Sequence, residues 1–437
     1  MAQASAFCSQ TQASKNICDT MTTSNTSNPS SVFTLPDGAP SAARATLKLL
    51  LRLKHGTLTV KLPDGSVQRF GNSKSTGQGP QASLHLLNWN VCSAALKSGD
   101  IGFAESYIAG DWTTPHLTDL LQVLIVNRKE VEDVIYGTWL GRFAYRVKHL
   151  LNRNTKANSQ KNIHAHYDLG NAFYELWLDG TMNYSSAIFE TPETSMQDAQ
   201  HAKVRRALRM AQVKPGDRVL EIGCGWGALA EKACREFDAS VVGVTLSTEQ
   251  LEWANKRMQR EGIAEKADLR LQDYRDIGKT TQDAPFDAIC SIEMVEAVGR
   301  EYWPEYFQTA HRLLKPGGHA CIQSIVIADE LFERYLTSTD FIQQYVFPGG
   351  CLPCPKEFRA QAIAAGFEVV DEFSFGQDYA RTLQLWREQF AAQEAHVLQL
   401  GFDRRFIRIW EFYLSYCEAA FLEANTDVVQ YTLRKPA

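Results

Sequence analysis

No stretch of this 437-residue chain reaches the length of apolar sequence, roughly 18 residues, that a membrane-spanning helix needs. The first residues do not join a basic segment to a long apolar run, so no secretory leader is expected. Cysteine is sparse. The ten thiols are scattered through apolar runs such as Val91-Cys92 and Ala320-Cys321, a pattern of free thiols in a reducing compartment and not of a disulfide framework. Cys351 and Cys354 form a lone C-x-x-C with no second pair and no histidine cluster, which argues against a metal site. Basic excess is also missing: the net charge is -5, so no nucleic-acid partner is expected and any anionic partner must meet a local patch. No internal repeat is present. Together these absences predict a cytoplasmic protein, in solution or peripherally associated with a membrane.

What is present is globular. The hydrophobic share of 44% in a chain of this length supports a large core and more than one domain. Residues 1–40 are rich in Ser, Thr, Asn and Gln, too polar to offset their ordering entropy by burial, and are expected to be a disordered tail. A smaller α+β domain is expected over 41–135. It opens with a helical pattern from Ala42 to Leu53. A hairpin follows, Thr57–Leu62 and Val67–Phe70 around the turn Pro63-Asp64-Gly65-Ser66, then a strand at Leu84–Asn88 and a helix at Leu117–Val126. Residues 136–165 carry Arg142, Arg146, Lys148, Arg153, Lys156 and Lys161 and no acid, interleaved with Trp139, Leu140, Phe143 and Tyr145. Such a segment suits an anionic membrane surface, and equally a linker helix packed on its neighbour.

The remainder, 166–437, alternates strands and helices. Strands are expected at Arg218–Ile222, Ser240–Val244, Leu269–Leu271, Phe286–Ile292 and His319–Ile327, and helices at Ala228–Phe237, Thr248–Glu261 and Tyr302–Leu314. This rhythm predicts an α/β fold, an open and mainly parallel sheet with helices on both faces. The first strand runs into Glu221-Ile222-Gly223-Cys224-Gly225-Trp226-Gly227, and a helix opens behind it. Glycines let the backbone turn sharply and approach a ligand, and the helix start offers unpaired N–H groups to an anion. A nicotinamide site also expects an acid at the tip of the second strand for the ribose, yet Val244-Thr245-Leu246-Ser247 has none. Glu221 can receive an ammonium group, and Gln272-Asp273 can serve an adenine amine. The turn Lys315-Pro316-Gly317-Gly318 precedes a strand. These features select S-adenosylmethionine as cofactor and a class I methyltransferase, Rossmann-like sheet.

Further elements stand in order along the chain: His166-Tyr167-Asp168-Leu169-Gly170-Asn171, Met182-Asn183-Tyr184-Ser185, Val242-Gly243-Val244-Thr245 with Glu249-Gln250, Gln272-Asp273-Tyr274-Arg275-Asp276, and Phe347-Pro348-Gly349-Gly350-Cys351-Leu352-Pro353. In these the chain resembles the cyclopropane fatty-acyl-phospholipid synthase family, which includes mycolic acid methyltransferases. The resemblance implies cofactor contacts from Tyr184, Ser185, Glu221, Gly223, Gly225, Gly227, Thr245, Gln250, Gln272, Asp273 and Ile292. It implies methyl(ene) transfer to the cis double bond of a phospholipid acyl chain through a carbocation, with a bound bicarbonate as base. The bicarbonate would be held by a Glu, a Tyr, a Cys and a His. Glu296 and Tyr379 match the first two; Ser186 and Gln323 stand at the Cys and His positions, and Ala297 follows Glu296. Ser and Gln can donate hydrogen bonds but cannot become cationic, so the product is expected to be a cyclopropane or a methylated olefin. A small-amine N-methyltransferase and a non-catalytic cofactor-binding protein are the competing readings. Membrane phospholipid, an anionic membrane surface and a second copy of the chain are the expected partners.

Overall fold

The computed structural model describes residues 36, 38–71, 79–135, 169–279, 283 and 285–437. The basic segment and nearly all of the amino-terminal tail therefore lie outside the described residues, as do His166, Tyr167 and Asp168. Residues Asp37–Ala437 form one compact unit built on two sheets.

The smaller sheet has the order β2-β1-β3-β4, with β1 Thr57–Lys61, β2 Val67–Gly71, β3 Gln81–Leu86 and β4 Trp112–Thr113. The hairpin of β1 and β2 is antiparallel, as expected, while β3 runs parallel to β1. Alternation drives burial: Leu58 and Val60 of β1 are sealed while Lys61 is exposed. Helix α1 (Ser41–Leu50) buries Ala43, Leu47 and Leu50; it ends three residues before the expected Leu53. Between the expected strand and the Leu117–Val126 helix stands a 20-residue helix, α2 (Asn90–Ala109), for which the sequence reading offered no element; it is broken at Gly99, where φ is 63° and ψ is -134°. Helices α3 (Leu117–Val126) and α4 (Arg128–Ile135) complete the layer.

The larger sheet has seven strands in the order β10-β11-β9-β8-β5-β6-β7. β5 (Arg218–Ile222) is central and pairs in parallel with β6 (Ser240–Thr245) on one side and β8 (Phe286–Ile292) on the other. Strand order therefore reverses at the carboxyl end of β5, where open α/β sheets bind ligands. β7 (Ala267–Leu271) continues the first half in parallel and β9 (Leu314–Ile327) the second. Helix Trp303–Leu313 ends one residue before the expected Leu314, since Pro316 and Gly317 cannot continue it, and β9 opens at Leu314, five residues before the expected His319. Beyond the sequence reading, β10 (Glu368–Ser374) and β11 (Thr426–Arg434) add an antiparallel edge, with β11 inserted between β10 and β9.

Helix Arg404–Leu422 joins the two sheets' layers. Tyr107 Oη donates to Glu411 Oε2 at 2.6 Å, and Thr118 Oγ1 donates to Glu418 Oε2 at 2.9 Å. Glu418 is buried and also receives Arg387 Nε at 2.7 Å. Removing a buried carboxylate leaves its cation and hydroxyl unpaired. Glu418→Ala is therefore expected to destabilise the unit by about 2 kcal/mol, read as an earlier urea midpoint; an unchanged midpoint would show that this contact does not join the layers.

Candidate active site

Two cavities meet at the carboxyl end of β5 and β8. The smaller, about 140 Å³, is lined by Tyr184, Ser185, Glu221, Gly223, Gly225, Thr245, Gln250, Gln272, Asp273 and Ile292. Ten of the eleven expected cofactor residues thus share one wall. Gly227 does not: it lies at the helix start, and a Cβ there would meet Ala254 Cβ at 3.0 Å, so its role is close packing on helix Thr248–Arg260. Gly223 has φ +85°, and a Cβ on it would meet the Met294 side chain at 2.4 Å. Its N–H and that of Cys224 both donate to Val244 O at 3.0 Å, which pins the loop to β6.

The donor set fits a methionine zwitterion joined to a nucleoside. Glu221 is 3% exposed, and its Oε2 has no hydrogen-bond partner among the described residues. Burial pushes its carboxyl up to about 8 against the opposing charge of Lys203; an ammonium group would satisfy the orphaned oxygen. Thr245 Oγ1 donates to Gln250 Oε1 at 2.9 Å, which fixes the orientation of the Gln250 amide in the cavity wall. Asp273 lines the same cavity, with its carboxylate held by Arg275 Nε at 2.9 Å and Nη2 at 2.6 Å.

The larger cavity, about 420 Å³, is mostly apolar. Tyr184, Glu293, Met294 and Ala297 line both cavities and form the junction. Here the structure corrects the sequence reading. Tyr379 Oη, expected beside Glu296 on a shared bicarbonate, donates at 2.7 Å to Glu293 Oε2. Glu293 Oε1 receives Gln323 Nε2 at 2.7 Å and the Ser186 backbone N–H at 2.9 Å. The expected hydroxyl donor Ser186 Oγ points instead to Ala187 O, at 3.0 Å. Two of the side chains expected to cradle a bicarbonate, Tyr379 and Gln323, therefore close on the Glu293 carboxylate, together with the Ser186 backbone N–H. A second anion there would face Glu293 across the same donors, so the residues do not fit bicarbonate. The sequence reading gave Glu293 no role. Its signal was an acid inside an otherwise apolar strand end.

Glu293 sits at φ 54°, unusual for a side-chain-bearing residue, so its backbone is held by its surroundings. Burial raises its pKa; the Ser186 N–H, the Lys203 charge, Tyr379 and Gln323 pull the other way. It is only half-buried by area because its carboxylate faces the two cavities and not bulk water. Gln323 is oriented from behind: Gln430 Nε2 donates to Gln323 Oε1 at 3.0 Å, and Arg206 Nη1 donates to Gln430 Oε1 at 2.8 Å. Lys203 was also missed. It is fully buried, and its Nζ donates to Ser185 Oγ at 2.5 Å. Burial pushes its ammonium down to about 8, opposed by Glu293, Asp179 and Glu221.

Glu296 stands one helical turn away. Its Oε1 accepts from Ser324 Oγ at 3.0 Å and from the Ile325 N–H, while Oε2 has no partner among the described residues. Burial, then the charge of Glu293, pushes it up to about 8, so it carries a proton at neutral pH. Aromatic side chains complete this wall: the Tyr184 ring is backed by the buried Trp386 at 5.6 Å, and Tyr379 stacks 4.4 Å from Phe421. Cys351 and Cys354 are both buried with unbridged thiols, and no group of acids, histidines and cysteines able to hold a metal occurs among the described residues.

The switch-point cavity, glycine loop and orphaned Glu221 define a class I S-adenosylmethionine-dependent methyltransferase, and the comparisons agree. Residues 154–431 match the model of the mycolic acid cyclopropane synthetase family, and the chain belongs to that family. It is 35% identical over 413 residues to tuberculostearic acid methyltransferase UfaA1 of Mycobacterium tuberculosis, which covers 91% of this chain and 92% of that protein. It is 33% identical over 377 residues to the cyclopropane-fatty-acyl-phospholipid synthase of Escherichia coli K12, covering 85% and 94%. Among solved structures, mycolic acid cyclopropane synthase CmaA1 complexed with SAH and CTAB aligns with a TM-score of 0.59 and 33% identity over 63% of this chain and 98% of that one. The chain is thus an enzyme that methylates or cyclopropanates lipid acyl chains with S-adenosylmethionine.

A sign follows for cofactor binding. In the free protein Glu221 holds a proton at neutral pH, since its pKa is about 8. A bound ammonium favours the carboxylate, so binding releases that proton and tightens as pH rises toward 8. Calorimetry of S-adenosylhomocysteine binding in buffers of different ionisation enthalpy is expected to show the release. Glu221→Gln should abolish it and weaken binding roughly 10-fold or more; pH-independent binding without proton release would remove Glu221 from the ammonium site.

Proposed function

We propose that this enzyme transfers a methyl group from S-adenosylmethionine to the cis double bond of an unsaturated phospholipid acyl chain, with Glu293 as the base that ends the reaction. The observation that carries this reading is the Glu293 carboxylate, fixed at the junction of the cofactor cavity and an apolar cavity large enough for hydrocarbon. A small amine would leave most of that cavity unfilled.

The cofactor supplies an electrophilic methyl on a sulfonium. The alkene is a poor nucleophile, so its π electrons must be held in line with that methyl. As the new C–C bond forms, the S–C bond breaks and the other alkene carbon becomes cationic. Tyr184 and Tyr379 line this cavity with aromatic rings that can stabilise the charge, and the low-dielectric wall keeps water from trapping the cation. Glu293 then accepts a proton, and the C–H electron pair quenches the cation. Tyr379, Gln323 and the Ser186 N–H aim its carboxylate. Glu296, protonated and backed by Ser324 and Ile325, keeps a second negative charge out of the site.

Which proton leaves decides the product. Loss from the new methyl closes a cyclopropane ring, the reading that the family and the Escherichia coli relative favour. Loss from a neighbouring chain carbon leaves a methyl-bearing olefin. That second reading is favoured by the protein-borne base and by similarity over nearly the whole chain to a tuberculostearic acid methyltransferase. Feeding trideuteromethyl-methionine to an expressing host separates them by mass spectrometry: a ring keeps two deuterons and a methyl-olefin three. An unlabelled lipid pool, with cofactor binding intact, would sink both.

Glu293→Gln is expected to lose at least about 100-fold in turnover while S-adenosylhomocysteine affinity stays near normal. Added bicarbonate should leave the native enzyme unchanged. Glu293→Gly suits the positive φ and vacates the seat, so bicarbonate should restore part of its turnover. A native enzyme that needs bicarbonate would remove Glu293 from the role of base.

A further inference from the structure

The larger cavity extends well beyond the catalytic junction. From Glu293 and Tyr379 it runs into the amino-terminal layer, where α1 contributes Thr46, Leu47, Leu49 and Leu50 to its wall. Helix α4, which packs on α1, adds Arg128 to the wall, and helix Asp329–Thr337 adds Leu331 and Tyr335. Helix α1 thus separates the apolar cavity from solvent.

Its outer face has a different chemistry. Arg44 and Lys48 lie one turn apart and are exposed; Leu51, 53% exposed, and exposed Arg52 continue the same side. From Gly38 to Pro63 the chain contains five Lys or Arg residues and no Asp or Glu, in a protein whose net charge is -5. Exposed Lys54 adds to this rim, where it pairs with Glu130 at 3.0 Å. A basic face carrying an exposed leucine, on a helix whose inner side is a leucine-lined cavity, is complementary to phospholipid: phosphates outside, hydrocarbon inside. A nucleic acid would match the charge but not Leu51 or the cavity beneath it.

We propose that α1 is the lipid-entry face, seating Arg44, Lys48 and Arg52 on the phosphates of an anionic phospholipid bilayer so that an acyl chain passes beneath the helix into the cavity. This rests on the acyl-chain reading of the active site. The substrate then reaches Glu293 without its hydrocarbon crossing water. Arg128, half-buried at the same end of the cavity, lies where a lipid phosphate would remain as the chain enters.

The test uses the full-length enzyme and vesicles of equal parts dioleoyl phosphatidylglycerol and dioleoyl phosphatidylcholine. Lys48→Glu with Arg52→Glu should weaken vesicle sedimentation roughly 30-fold or more, with turnover on vesicles falling in step. Turnover on the same lipids in nonionic-detergent micelles should stay unchanged, since neither side chain lines the cavity. A control with the same charge change at exposed positions of the larger sheet's layer, Lys214→Glu with Lys256→Glu, should leave vesicle binding intact. Unchanged sedimentation of the first variant, or equal loss in the control, would overturn the entry face. Equal binding to purely zwitterionic vesicles by the native enzyme would do so too. A native enzyme that binds vesicles through α1 but methylates no unsaturated lipid in either format would instead sink the acyl-chain reading and leave the docking result standing.

Discussion

A single buried carboxylate organises this active site. Glu293 occupies the place where the cofactor cavity opens into the apolar one, and it is tolerable there only because three donors and a nearby buried lysine offset its desolvation. Much of the surrounding polar architecture follows. Gln323 must present its amide nitrogen, so Gln430 and Arg206 fix it from behind. Tyr379 must present its hydroxyl, so helix Gly376–Ala392 is packed close against the sheet. Glu296 cannot be charged at the same time, so it holds a proton and takes backbone and Ser324 donors. A carboxylate that belongs to the chain also cannot diffuse away, so the base proposed for the reaction is a permanent part of the fold.

The cofactor cavity is the more conventional half. Reversal of strand order beside β5 opens a crevice, glycines bring the backbone close, and Glu221 is left with an oxygen for a ligand to satisfy. The acceptor cavity depends on the amino-terminal layer. Without α1, α3 and the small sheet, much of its apolar wall would be missing. Helix Arg404–Leu422, hydrogen-bonded to α3 and packed on helix Gly376–Ala392, is therefore as much a part of substrate binding as of stability.

The fold and the cofactor half were largely legible because their signals are local. The alternation in β1, the β5-to-glycine turn and the helix behind it are each written in a few consecutive residues, and steric rules convert them directly into structure. Gly227 was placed one step too close to the ligand, since a glycine needed for packing and one needed for ligand approach read alike. The edge formed by β10 and β11 was not legible, because their pairing joins segments more than fifty residues apart and leaves no periodic mark in either.

The sequence by itself determined that a methyl donor belongs at the head of a parallel sheet, and it singled out Glu221, Gly223, Gly225, Gln250 and Asp273, which the structure gathers around one cavity. It also placed Tyr379 and Gln323 in one polar cluster. Only the tertiary structure decided which carboxylate they serve. Glu293 and Glu296 lie three residues apart at the end of β8, and no local pattern tells which of them turns toward Tyr379, 86 positions later. That choice is made by the register of β9 beside β8, which brings Gln323 opposite Ile292, next to Glu293, and by the helix that carries Tyr379 over it. The exchange of a bound anion for a side chain is therefore a property of long-range packing, and so is the site at which a cation on the acyl chain would lose its proton.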